Sequence, residues 1–167
     1  MLLAKQGIDV NQASNDGWTP LHRASEEGHS EVVSMLLAKP GVDVNQATNT
    51  GCTPLYIASQ EGHSEVVSML LAKQDIDVNQ ASNDGWTPLL FASQEGHTEI
   101  VKLLLANGAD VNQANNNGQT PLWRASQEGH DEIVKLLLAA PGIDVNKTNK
   151  DGSTPLRTAS YEGHTEV

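Results

Sequence analysis

Cysteine, aromatic residues, positive charge and long apolar runs are all scarce in this sequence. A single cysteine, Cys52, in 167 residues cannot form an internal disulfide, which excludes a small disulfide-stapled scaffold and favours an intracellular protein. Ten Lys and Arg against 21 Asp and Glu leave a net charge of -11, and a field of that sign repels phosphate backbones and anionic lipids. We therefore expect neither nucleic acid nor a membrane surface as a partner.

No apolar run approaches the roughly 20 residues that cross a bilayer, and the first residues lack the pattern of a secretion signal. We expect a cytoplasmic protein, with a nuclear location still open. A content of 38% hydrophobic and 4% aromatic residues is a thin supply for one central core, yet 14 Gly and 7 Pro are too few for a disordered chain. Some other arrangement must organise the burial.

The chain is instead rich in internal repetition. The tripeptide Thr-Pro-Leu begins at Thr19, Thr53, Thr87, Thr120 and Thr154. The pair Gly-His begins at Gly28, Gly62, Gly96, Gly129 and Gly163. Both series advance in steps of 34, 34, 33 and 34 residues, and a fixed period of this size is typical of stacked repeat units.

Each unit predicts two short helices. In the second full unit, Thr53 can cap a helix whose first residue is Pro54, and Gly62 can end it in the left-handed conformation. Ser64 is expected to cap the next helix, in which Val and Leu form an apolar stripe at one-turn spacing. Because one helix pair cannot bury both of its apolar stripes, the units must stack into a solenoid.

Several segments of the first full unit resemble the ankyrin repeat. These segments are Asp16-Gly17-Trp18-Thr19-Pro20-Leu21-His22-Arg23-Ala24, Gly28-His29-Ser30-Glu31-Val32-Val33, Leu36-Leu37 and Asp43-Val44-Asn45. The resemblance covers nearly the whole chain. It implies an all-α repeat solenoid of stacked helix-turn-helix units with projecting β-hairpin-like loops. It also implies a concave side, made of hairpin tips and first helices, that holds protein partners.

The expected organisation is a single array over residues 1–167. It divides into a partial repeat 1–14, repeats 15–48, 49–82, 83–115 and 116–149, and a partial repeat 150–167. Residues 1–5 match residues 35–39, so the chain should begin inside a second helix, and it should stop as another begins. We expect a slice of a longer array, monomeric or weakly self-associating through its uncapped ends.

Serine and histidine stand four residues apart in every unit, as in Ser25 and His29, which suggests a nucleophile with its base. Five equivalent copies on a repeating scaffold lack the unique pocket, orienting group and oxyanion donors of such a site. The resemblance implies instead that each histidine ties its helical turn to the neighbouring loop. Equivalent histidines, held 8 to 10 Å apart by helix packing, cannot share a zinc ion. We expect no catalytic residue, no metal, no cofactor and no small-molecule substrate, and we interpret Cys52 as an incidental surface residue.

In each unit three positions vary while the Thr-Pro-Leu and Gly-His motifs stay the same, and these positions contain all the Trp and Tyr residues. The first position directly follows the turn glycine, the second directly follows Thr-Pro-Leu, and the third lies four residues after the second. The predicted partner-binding residues are Trp18, His22, Glu26, Tyr56, Gln60, Trp86, Leu90, Gln94, Gln119, Trp123, Gln127, Arg157 and Tyr161. We expect Trp18 and Trp86 to be exposed at loop tips. The alternative is that rings pack between units, with Trp123, inside a helix, the first candidate.

A row of carboxylates borders the same positions, interrupted locally by Arg23, Arg124 and Arg157. The row consists of Glu27, Glu61, Glu95, Glu128 and Glu162. Two interpretations of this row are open. It is either a solvated edge that serves solubility or a surface that prefers a partner carrying Lys or Arg. The leading hypothesis is a non-enzymatic module that binds a protein partner on the concave face. The alternative is a structural spacer within a larger protein.

Overall fold

A computed structural model of the protein describes residues 7–167, and this part of the chain folds into helices without strands. The helices are α1 (Pro20–Glu26), α2 (Ser30–Leu37), α3 (Pro54–Glu61), α4 (Ser64–Leu71), α5 (Pro88–Glu95), α6 (Thr98–Ala106), α7 (Pro121–Glu128), α8 (Asp131–Leu138) and α9 (Pro155–Glu162). The predicted all-α repeat solenoid is confirmed. The expectation that the chain begins inside a helix falls on residues 1–5, outside the described residues. No helix of residues 7–167 is both long and apolar enough to span a bilayer.

The helices form two layers. Odd-numbered helices each pack against the next odd-numbered helix, even-numbered helices do the same, and each odd helix also packs on the even helix that follows it. Leu55, Leu70, Leu89 and Leu104 are fully buried between the layers. Because every unit contributes a few aliphatic side chains that seal against its neighbours, a modest hydrophobic content is enough for a continuous core.

The first helices α3, α5, α7 and α9 begin and end as predicted, whereas α1 begins as predicted but has Glu27, not Gly28, as its C-cap. The Thr53 side chain accepts a hydrogen bond from the Tyr56 N–H at 3.1 Å, and Pro54 occupies the first helical position, where a missing N–H leaves no acceptor unpaired. Gly62 ends the helix with a φ of 82°, a left-handed conformation that costs glycine little.

The second helix begins differently from the prediction. His63, not Ser64, is the N-cap residue, and no side chain bonds to the free N–H groups of this helix start. The left-handed Gly62 turns the chain so sharply that the His63 carbonyl already accepts from the Val67 N–H at 3.0 Å. Ser64 is therefore the first helical residue, and the prediction that it caps the helix is wrong.

The loops before the first helices fold back on themselves as hairpin-like turns. Ser14 N–H donates to the Trp18 carbonyl at 2.9 Å, and Gly17 N–H donates to the Ser14 carbonyl at 2.9 Å. Neighbouring loops are joined directly, because Asn49 N–H donates to the Asp16 carbonyl at 3.1 Å. The same link recurs along the stack, so that the loops form a continuous row of their own.

The asparagine of each Val-Asn pair fastens one unit to the next. Asn45 Nδ2 donates to the Asp75 carbonyl at 2.6 Å, while Asn45 Oδ1 accepts from the Asp77 N–H at 2.9 Å. Asn11, Asn79 and Asn112 make the same two bonds to the units that follow them. Both ends of the amide are thus used, which explains why this motif keeps the period of the repeat.

Three buried serine hydroxyls have no hydrogen-bond partner. They belong to Ser25, Ser59 and Ser93, which lie on first helices with almost no accessible surface. A small side chain is needed where neighbouring first helices approach closely, but an unpaired hydroxyl in such a place lowers stability.

We expect Ser59→Ala to raise the free energy of unfolding by about 1 kcal/mol, because it removes a buried unpaired hydroxyl and improves helix propensity. Urea unfolding followed by circular dichroism measures the change. The matched control is Ser160→Ala, whose exposed hydroxyl donates to the Leu156 carbonyl at 2.8 Å, so that the lost bond offsets the same gain in helix propensity and no net stabilisation is expected. A lower unfolding midpoint for Ser59→Ala would contradict this interpretation.

Candidate protein-binding surface

The serine and histidine pairs do not form a catalytic arrangement. His63 Nε2 donates to the Glu26 carbonyl of the preceding unit at 2.8 Å, and the Ser59 hydroxyl remains unpaired. His97, His130 and His164 bind the carbonyls of Gln60, Gln94 and Gln127 in the same way. The histidines therefore join consecutive units, at the end of the preceding first helix rather than in the neighbouring loop that the resemblance implied.

Each of these histidines also packs closely against a glycine of the preceding unit. At Gly62, an added Cβ would stand 2.7 Å from Cε1 of His97. The glycine is therefore required twice, for the left-handed backbone and for the close approach of the ring. Within residues 7–167, no group of three or more His, Cys, Asp or Glu side chains converges as metal ligands do.

His22, predicted to contact a partner, is fully buried. Thr19 N–H donates to His22 Nδ1 at 3.1 Å, so the ring carries its proton on Nε2, which donates to the Cys52 carbonyl of the next unit at 3.0 Å. Burial is the main cause that lowers the pKa of His22 below its ordinary value. The backbone oxygen at Cys52 opposes this effect, but the ring stays neutral and structural.

The same position is buried in three further units, at Tyr56, Leu90 and Trp123. Trp123 shows the reason, because its Nε1 donates to the Ser153 carbonyl of the next unit at 3.2 Å, as His22 does to Cys52. The residue after Thr-Pro-Leu thus points under the next hairpin loop. The assignment of His22, Tyr56 and Leu90 to an accessible surface is wrong, and the alternative that Trp123 packs between units is confirmed.

Trp18 and Trp86 are half-buried, so the expectation that they stand exposed at loop tips is also wrong. The Arg23 guanidinium covers the Trp18 ring at 4.0 Å from its centroid. Trp86 packs against Phe91, with ring centroids 4.4 Å apart, and the Arg124 guanidinium lies 4.7 Å from the centre of the Trp86 ring. Arginine over an indole ring is a favourable arrangement, which explains why these rings fold back onto the first helices.

In three units the side chain that reaches the surface is one position further along, whereas Ile57 and Thr158 at this position are buried. Arg23, Phe91 and Arg124 follow the buried position directly, and they form the outer layer over the tryptophans. Phe91 also meets Tyr56 edge to face, with centroids 5.1 Å apart. Sequence reasoning did not assign these three residues to the site, although their position varies from unit to unit as strongly as the buried one.

An open cleft of about 320 Å³ lies between α7, α9 and the loops before them. It brings together five of the predicted residues, namely Gln119, Trp123, Gln127, Arg157 and Tyr161. Tyr161 is 86% exposed, and Arg157 is exposed as well. Glu26, Gln60 and Gln94 are half-buried at the position of Gln127 on α1, α3 and α5.

Paired helices stacked in this way define a helical-repeat protein. A family model described as ankyrin repeats in three copies matches residues 1–82, 74–149 and 115–167. The chain belongs to the ankyrin repeat family, whose members are generally protein–protein interaction modules rather than enzymes. No curated protein matches this chain.

Stability should fall in mild acid because of His22. The unfolded chain takes up a proton on this side chain near pH 6.5, whereas burial lowers its pKa in the folded protein. Between those two values the unfolded state binds more protons, so stability is full above about pH 6.5 and is lost as the pH falls below it.

Unfolding free energies at about pH 7.5 and about pH 5 measure this loss. The matched variant is His22→Leu, since Leu90 fills the equivalent position with no exposed surface. We expect a smaller drop between the two pH values in the variant than in the wild type. Equal drops would show that His22 does not contribute to the acid sensitivity.

Gly62→Ala should destabilise the protein far more than Gly142→Ala. Both glycines have positive φ, 82° and 77°, which costs an alanine about 1 to 2 kcal/mol. Only the new Cβ at Gly62 would meet a neighbour, because nothing lies within 4 Å of the corresponding point at Gly142.

His97 would then have to move and give up its bond to the Gln60 carbonyl, at a further cost of about 1 to 3 kcal/mol. Urea unfolding of the two variants side by side isolates this part of the effect. Equal losses of stability in the two variants would contradict the close packing of His97 on Gly62.

Proposed function

We propose that the chain binds a protein segment along the outward edge of its first-helix layer. This surface, named here the first-helix surface, consists of Trp18, Arg23, Gln60, Trp86, Phe91, Gln94, Arg124, Gln127, Arg157 and Tyr161. The observation that carries the proposal is the grouping of accessible aromatic and arginine side chains there, in a chain that contains few of either. Such residues dominate the binding energy of protein interfaces.

The half-buried rings favour this role over a purely structural one. Trp86 is held between Phe91 and Arg124, so its orientation is already set before a partner arrives. A preorganised aromatic side chain loses little conformational entropy on binding. The open cleft at α7 and α9 adds a site where the exposed Tyr161 ring can close over a side chain of the partner.

The charge along the edge of this surface suits a partner that carries lysine or arginine. Glu61, Glu95, Glu128 and Glu162 end consecutive first helices and are exposed, so their fields add along the stack. We place the surface on the concave side that the family resemblance implies. We also propose that the interaction takes place in the cytoplasm, where the single thiol of Cys52 would stay reduced.

The test compares the intact chain with Trp86→Ala and Tyr161→Ala in affinity capture, followed by titration of the purified captured protein. We expect each substitution to weaken binding by about tenfold, the effect of losing an interface anchor. The matched control is Met35→Ala, because Met35 is also a large exposed side chain, at 52%, but lies on the second-helix layer.

Circular dichroism and thermal unfolding separate a loss of contact from a loss of fold, which matters for Trp86 because it packs on Phe91. If Met35→Ala weakens binding as much as Tyr161→Ala does, the first-helix surface is the wrong face. If no variant changes any association, the spacer alternative replaces this proposal.

A further inference from the structure

Arg124 is a charged side chain that is only partly satisfied within the chain. Its Nη1 donates to Gln127 Oε1 at 2.9 Å, whereas its Nε is buried and has no hydrogen-bond partner. Desolvation lowers the pKa of the guanidinium below its ordinary value, against the opposing charge of Glu128. The group nevertheless stays charged, because an arginine does not lose its proton in proteins.

Arg23 occupies the equivalent position in the first full unit, and its guanidinium has different surroundings. Its Nη1 contacts Glu26 Oε2 at 2.9 Å, and its Nη2 lies 3.9 Å from Asp16 Oδ2. The Trp18 ring lies beneath it at 4.0 Å. Arg23 therefore has both an aromatic platform and two carboxylates.

Arg124 also has an aromatic platform, but amides stand at the positions of both carboxylates. Gln127 stands at the position of Glu26, and Asn117 stands at the position of Asp16. Trp86 of the preceding unit supplies the ring at 4.7 Å. In a chain of net charge -11, no carboxylate among the described residues lies within 4 Å of Arg124.

A guanidinium held in this way is suited to one kind of ligand. Its planar fork of N–H donors matches a carboxylate group, and the charge-assisted bonds that form are stronger than those to a neutral amide. The indole ring fixes the plane of the fork without using its edge. Partial burial also weakens the competition from water and salt for the bound anion.

We propose that Arg124 receives an Asp or Glu side-chain carboxylate of the protein partner, at the guanidinium N–H groups that Gln127 leaves free. This inference rests on the proposed function and deepens it, because it sets one acidic contact within a surface otherwise edged by glutamates. The partner segment would then carry an acidic residue opposite Arg124 and basic residues opposite Glu61, Glu95 and Glu162. Such a pattern of mixed charge fixes the register of binding along the stack.

The first experiment uses small probes, so that it does not depend on the partner. Acetyl-glutamate methylamide and acetyl-glutamine methylamide are titrated separately into the ¹⁵N-labelled chain at constant ionic strength, and the arginine Nε–H signals are followed by NMR. We expect a saturable shift of the Arg124 signal with the glutamate probe, at an affinity about fivefold higher than with the glutamine probe. The Arg23 signal should not show this preference.

Two variants move the site while leaving the arginines in place. Gln127→Glu supplies an internal carboxylate, and we expect it to remove the preference of Arg124 for the glutamate probe. Asp16→Asn with Glu26→Gln reproduces around Arg23 the amides of the fourth unit, and we expect it to create the preference there. Equal responses to both probes at Arg124, or an unchanged response in Gln127→Glu, would overturn the inference.

Titration of the captured partner keeps this inference separate from the proposed function. A loss of affinity in both Tyr161→Ala and Gln127→Glu supports both. A loss in Tyr161→Ala alone leaves the first-helix surface intact and overturns the acidic contact at Arg124. If neither Trp86→Ala nor Tyr161→Ala changes partner binding, the proposed function fails, while the probe titration still decides the carboxylate affinity of Arg124.

Discussion

The contact between neighbouring units is the constraint on which this structure depends. A pair of eight-residue helices cannot bury its own apolar stripes, so each unit leaves polar backbone groups that only the next unit can satisfy. Asn45 fills this need at the loop, with bonds to Asp75 and Asp77, and His63 fills it at the helix end, with a bond to Glu26. The histidines, which could have suggested a catalytic or metal site, are therefore among the side chains that hold the stack together.

The same constraint divides the short segment after Thr-Pro-Leu into two kinds of position. The first residue points under the next hairpin loop, where it either donates to a carbonyl, as Trp123 does, or only fills space, as Leu90 does. The second residue is accessible at Arg23, Phe91 and Arg124, where the two arginines cover tryptophans, whereas Ile57 and Thr158 at this position are buried. Both positions vary along the chain, but variation at the first reflects packing, and variation at the second can serve binding only where the side chain is accessible, as it is at Arg23, Phe91 and Arg124.

The sequence predicts the architecture better than the surface. Thr53, Pro54 and Gly62 specify the limits of a helix through bonds within a few residues, and the period of the repeat specifies stacking. The accessibility of a side chain depends on which side of the helix the next hairpin loop covers, and helical spacing in the sequence does not specify that side. The prediction for His22 is wrong for that reason, and the prediction for Trp18 is wrong because Arg23 covers its ring, whereas the alternative of packing between units is correct for Trp123.

The sequence separation of the hydrogen-bonded residues in neighbouring units limits which insertions and deletions the array can accept. Each of these bonds joins residues about one repeat apart, from 29 residues between Asn79 and Gly108 to 37 between Glu26 and His63. Removal of a whole unit would bring equivalent partners into register again, whereas loss of two or three residues inside a helix would misalign every bond across that junction. Insertions and deletions are thus confined to whole repeats, or to the loop at Gly108, where the single 33-residue step shows that one residue can be absorbed.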